Sequence, residues 1–175
     1  MCIRDRRSTG NTPCFYNHFV TDREESFDQP GTPEEPKGHY IFDKPEPLWN
    51  FGHGKSYTTF DYVDCALSDT LLVASDTLKV SVTIKNTGRR DGKEVVQLYV
   101  RDKVSTVATP IQQLKAFQKV LVKPGESQCV ELSLPIAELA LYNAKMEEVV
   151  EPGDFEIQIG AASDDIRFKK TITIN

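Results

Sequence analysis

The sequence is poor in the features that anchor most functional assignments. No apolar run approaches the roughly 20 residues needed to span a bilayer, and residues 1 to 20 lack the apolar core of a secretory signal. The formal net charge of -5 excludes nucleic acid as a main partner, because phosphate binding needs clustered lysine and arginine. Four cysteines stand at positions 2, 14, 65 and 129 with no CxxC pair, which disfavours structural zinc. His18, His39 and His53 are dispersed, with no HxxxH or HExxH grouping to hold a metal. There is no G-x-S-x-G elbow for a serine nucleophile, no phosphate-cradling glycine loop and no Asn-x-Ser/Thr acceptor. No catalytic, cofactor-binding or metal-binding residue is therefore assigned, and no cofactor is expected.

What is present falls into two unlike parts. "MCIRDRR" (residues 1–7) reads as a translated cloning or sequencing scar and is set aside from fold reasoning. Residues 8–60 form an arm broken by Pro13, Pro30, Pro33, Pro36 and Pro45, too proline-rich for helix or central strand. Alone it has too little apolar surface to offset the entropy of ordering it. Yet Phe15, Tyr16, Phe19, Phe27, Tyr40 and Phe42 are spaced along it, and it ends in the aromatic stretch "PLWNFGHGKSYTTF". An extended arm of this kind is expected to lie on another surface.

After Phe60 the pattern changes to strict alternation. "TLKVSVTIKN" puts Leu78, Val80, Val82 and Ile84 on one face, and "KEVVQLYVRD" does the same with Val96, Leu98 and Val100. "ESQCVELSL", "DFEIQIG" and "FKKTITIN" continue it, separated by the turn sequences "NTGRRDGK", "KPGE" and "EPGD". "KAFQKVLV" reads as a bulged or edge strand, and "PIAELALYN" as one short helical turn. About seven strands in roughly 115 residues predict an all-β fold, an antiparallel β-sandwich of immunoglobulin or fibronectin III type over residues 61–175. The spacing of Cys65 and Cys129 matches an immunoglobulin disulfide. However, the only tryptophan, Trp49, precedes both, and alternation puts Cys129 opposite to Val130, Leu132 and Leu134, which favours free thiols.

Acids occur side by side as Glu24-Glu25, Glu34-Glu35, Glu147-Glu148 and Asp164-Asp165. Glycoside hydrolysis needs two carboxylates held roughly 5 to 9 Å apart across a sugar. Sequential neighbours on a strand point to opposite faces, so these pairs read as solvated surface.

"PLWNFGHGKSYTTFDY" resembles a signature near the C-terminus of glycoside hydrolase family 3, whose members read close to PLxPFGxGLSYTxF there. "TIKNTGRRDGKEVVQLYVRD", "LKAFQKVLVKPGES" and "VVEPGDFEIQIGAASDDIR" resemble successive pieces of the fibronectin type III-like domain of that family. "GNTPCFYNHF" and "KGHYIFDKPEP" resemble the tail of its α/β sandwich domain and the connector beyond. Asn50 and Lys55 depart from the pattern, standing where proline and leucine are usual.

The resemblance implies a retaining β-glycosidase as the parent, a β-glucosidase first and a β-xylosidase next. Its catalytic residues would lie in a barrel and in the α/β domain or its loops, neither site motif is present here, and a barrel alone needs about 200 residues. It also implies an extracellular or periplasmic location, and as partners the catalytic domains of the same polypeptide and the parent's β-glycoside substrate. This chain alone is expected to be inactive, with Trp49, Phe51, Tyr57 and Phe60 docking the sandwich against the catalytic part. The competing reading is a non-catalytic sugar- or protein-binding module. Trp49, Tyr57, Tyr99 and Tyr142 discriminate the two: one exposed platform favours binding, burial favours docking, and burial is expected for most of them.

Overall fold

The computed structural model describes residues 15–19, 32–34 and 47–175. Among the described residues ten strands run in the order β1 (Phe60–Leu67), β2 (Leu71–Leu72), β3 (Thr77–Asn86), β4 (Gly92–Asp102), β5 (Gln113–Val122), β6 (Ser127–Pro135), β7 (Leu141–Tyr142), β8 (Glu148–Val149), β9 (Gly153–Gly160) and β10 (Ile166–Ile174). One sheet is ordered β1-β3-β6 and the other β2-β10-β9-β4-β5, with β7-β8 a separate hairpin. All long pairings are antiparallel; only β2 runs parallel to its neighbour, β10. The fold is the all-β sandwich expected from the alternation.

The register explains why the two sheets close on each other. Leu78, Val80 and Val82 of β3 stand opposite Leu134, Leu132 and Val130 of β6, so one face of that sheet is continuously apolar. Leu98 and Val100 of β4 stand opposite Ile159 and Ile157 of β9, which gives the second sheet a matching face. These residues, with Ile84, Val96, Phe155, Ile172 and Ile174, are buried in one cluster. Each such side chain contributes about 1.5–3 kcal/mol on leaving water.

Cys65 lies opposite Val82 and points into this core, whereas Cys129 lies opposite Thr83 on the outer face. Both are free thiols, because side chains on opposite faces of one sheet cannot be bridged. Cys14, in the arm, lies outside the described residues.

The two irregular strands are informative. β5 is the edge of its sheet and bulges opposite Leu98 and Tyr99, so both descriptions of "KAFQKVLV" hold. β1 was not evident in the sequence because a bulge between Tyr62 and Asp64 breaks its alternation. Phe60, Tyr62 and Leu67 pack on the core along with Cys65, so the inward positions change from even to odd numbers across the bulge. The short turn at Ile136–Leu139 is a 3-10 helix opened by Pro135.

Candidate functional site

Alternation sends Gln97 and Tyr99 of β4 to the outer face of the five-stranded sheet, away from Val96, Leu98 and Val100. An outer face is ordinarily wet. Here Tyr99 is 0% exposed and Gln97 is buried, so something covers them. The cover comes from two separate pieces of the chain.

The first piece is residues 15–19. The Tyr16 ring meets Tyr99 edge-on at 6.0 Å between centroids, and its hydroxyl oxygen accepts from the Leu114 N–H at 3.4 Å. The His18 carbonyl accepts from the Ile111 N–H at 2.8 Å, and Phe19 forms an antiparallel bridge with Pro110. The second piece is the aromatic stretch itself. Phe51 stacks on Tyr16 with centroids 4.1 Å apart and planes 12° from parallel, and its carbonyl accepts from the Ser163 N–H at 2.9 Å. Asn50 donates to the Asp164 carboxylate at 2.7 Å.

Beneath these rings the polar atoms are paired, as burial requires. The Tyr99 hydroxyl donates to Gln97 Oε1 at 2.6 Å. Gln97 Nε2 donates to the Ala161 carbonyl and, at 3.3 Å, to the Gly52 carbonyl. Gly52 has φ +82°, and a Cβ there would lie 2.3 Å from Gln97 Oε1, so only glycine lets the backbone come this close. Burial, and then the neighbouring Tyr16 and Asp164, push the Tyr99 phenol well above its ordinary pKa, keeping it a donor.

The end of the stretch is fixed by a second buried polar residue. Asn86, fully buried at the end of β3, accepts from the Thr58 hydroxyl at 2.6 Å and from the Gly88 N–H at 3.0 Å. Its amide nitrogen donates to the carbonyls of Arg90 and Val122, both at 2.8 Å. The Thr59 carbonyl takes the Thr87 N–H at 2.9 Å, leading directly into β1.

The four aromatics assigned to docking separate accordingly. Phe51 packs on the sandwich's own outer sheet and Phe60 against its core. Trp49 is 43% exposed, with His53 at 4.6 Å and the Lys55 ammonium 5.5 Å from its ring. Tyr57 is 91% exposed. Of the discriminating set, Tyr99 is buried, but Trp49, Tyr57 and Tyr142 are exposed, against the expectation of burial for most. Within this set only Tyr99 lies under residues 15–19 and the aromatic stretch; the other three stand outside that cover. No ring contact joins the three exposed aromatics among the described residues.

The key residue missed in the sequence is Gln97; Tyr16 and Tyr99 are singled out there, but their meeting is not. The signal was available in "VVQLYV", whose outward positions Val95, Gln97 and Tyr99 carry no charge, as suits a strand covered on both sides.

A groove of about 410 Å³ runs between residues 52–57 and the outer face of β4 and β5. Lys55, Lys93 and Lys119 line it, with Tyr57, Ser56 and Asp91. Glu94 also borders it, but its carboxylate accepts from the Tyr62 hydroxyl at 3.0 Å on the core side of β4. Burial raises the Glu94 pKa, opposed by that hydrogen bond; Asp165 raises it further and Arg167 lowers it. Among the described residues no group of three or more His, Cys, Asp or Glu is placed to hold a metal ion.

Residues 94–163 match the family model described as a fibronectin type III-like domain. The chain is 37% identical over 160 residues to a periplasmic beta-glucosidase of Salmonella typhimurium, covering 90% of this chain and 20% of that protein. It is 44% identical over 133 residues to a beta-xylosidase of Formosa agariphila, covering 75% of this chain and 18% of the relative. A crystal structure of beta-glucosidase from Listeria innocua in complex with glucose superposes with a TM-score of 0.76 at 35% identity, over 93% of this chain and 22% of the other. The likeness thus extends from the sandwich into the arm, and the chain spans about a fifth of the length of these relatives. The chain belongs to glycoside hydrolase family 3, of which it represents the C-terminal part with its fibronectin type III-like domain.

Proposed function

We propose that the chain serves as the accessory C-terminal part of a β-glycosidase, a β-glucosidase first and a β-xylosidase next, holding the catalytic domains in place. The observation that carries this is the convergence of residues 15–19 and 47–54 on Tyr99 and Gln97. A connector fixed to the sandwich at two places transmits the sandwich's position to whatever precedes it, which a free linker cannot do. The proposed division places the arm at 8–60 and the domain at 61–175, with the arm seated on the domain. The name of the Salmonella relative supports an extracytoplasmic location.

The test is made in the longer protein that carries this chain. Phe51→Ala should lower the melting temperature while leaving KM for an aryl β-glucoside near its starting value. A large rise in KM at unchanged melting temperature would assign these aromatics to substrate instead. A second reading, a sugar- or protein-binding module, has in its support the exposure of Trp49, Tyr57 and Tyr142, although no ring contact joins them among the described residues.

A further inference from the structure

We infer that the groove between residues 52–57 and strands β4 and β5 binds a short anionic oligosaccharide, a chain of sugar rings bearing carboxylates. That the ligand is a sugar rests on the proposed function; that it is anionic rests on the groove alone.

The register places Lys93 opposite Leu121 and Val95 opposite Lys119, so Lys93 and Lys119 project from neighbouring strands on the same outer face. Lys55 approaches from the facing segment, its ammonium above the Trp49 ring. None of the three lysines takes part in a salt bridge among the described residues. The acids do not cancel them: Glu94 is committed to Tyr62 on the other side of the strand, which leaves one lining carboxylate, Asp91, against three lysines. The groove is therefore locally cationic in a chain whose net charge is -5.

Its shape and chemistry favour a carbohydrate over an acidic protein face. A concavity of about 410 Å³ falls within the ordinary range for small-molecule sites. Gly54 presents bare backbone with nothing within 4 Å of where a Cβ would stand, leaving room for a ring to approach. Tyr57, 91% exposed at the edge of the groove, offers an aromatic face against which the C–H face of a sugar can lie. Ser56 adds a hydroxyl to pair with ring hydroxyls.

The test uses the 175-residue chain and three probes: β-1,4-linked trimannuronate, neutral cellotriose and hexaglutamate. Binding is read by titration calorimetry at low and at high salt. Trimannuronate should bind saturably and lose affinity with salt, since exposed charges are screened. Cellotriose and hexaglutamate should each bind at least about tenfold more weakly. Lys93→Ala combined with Lys119→Ala should weaken trimannuronate by about tenfold or more with an unchanged melting temperature. Tyr57→Ala should weaken trimannuronate without removing its salt dependence. Cellotriose bound as tightly as trimannuronate would overturn the role of charge, and hexaglutamate bound as tightly would replace the sugar with an acidic peptide. No binding of trimannuronate overturns the inference and leaves the docking reading, tested by Phe51→Ala, standing separately.

Discussion

At the scale of single residues, Tyr99 bears the most consequence. Its hydroxyl satisfies Gln97 Oε1 in a place that water does not reach. Tyr99→Phe keeps the ring and leaves that oxygen without its donor, so it should cost about 1–3 kcal/mol. Tyr99→Ala also empties the site below Tyr16 and should cost about 3–5 kcal/mol. Urea denaturation of the two variants measures the difference. Glu94 offers a test in pH. Burial is the largest cause of its raised pKa, so the folded state binds the proton more tightly than the unfolded chain. The contribution is present below the ordinary glutamate pKa and is lost as pH rises through the raised folded value. The urea midpoint of Glu94→Gln should accordingly gain on the parent chain between about pH 4 and pH 7. A constant gap across that range would show that Glu94 does not titrate differently in the folded state.

At the scale of elements, the sandwich was legible and its cover was not. β3, β6 and β10 follow from period-two alternation because one face of each meets the core and the other is turned towards water; β9 alternates likewise, although Gln158 on its outer face is buried. β1 was hidden by its bulge, and the β7-β8 hairpin by a turn that uses neither glycine nor proline. In that turn Met146 adopts φ 63°, held because Asn143 Oδ1 accepts from the backbone N–H groups of Lys145 and Glu147. The seat of the aromatic stretch depends on Tyr16, Phe51 and Tyr99, distant along the chain, and no local pattern expresses such a meeting. The cover should matter to the strands beneath it. A chain beginning at Thr59 loses Tyr16 and Phe51 from above Tyr99, and should melt lower and bind a hydrophobic dye. Equal melting temperatures for the two chains would show that the arm contributes nothing to the sandwich.

At the scale of the whole molecule, the family assignment came from ordered motifs along nearly the full sequence, whereas the groove with Lys55, Lys93 and Lys119 emerged only from the packing of residues 52–57 on β4 and β5. The chain by itself should release no nitrophenol from aryl β-glucosides or β-xylosides. Retaining hydrolysis needs a nucleophilic carboxylate and a second carboxyl fixed around one ring, and no residue here is assigned either task. Turnover that survives purification and disappears on changing Glu148 or Asp165 would assign catalysis to this part.

The 98-residue separation between Tyr16 and Leu114 also bears on how the protein is made. Tyr16 emerges from the ribosome well before β4 and β5 exist, and at about 5–20 residues per second the wait is roughly 5 to 20 seconds. Throughout that interval the aromatic rings of the arm have no seat on this domain. Synonymous codons that slow translation between positions 60 and 114 should lengthen this exposure. They should raise the aggregated fraction of newly made chains without altering the stability of those that have folded.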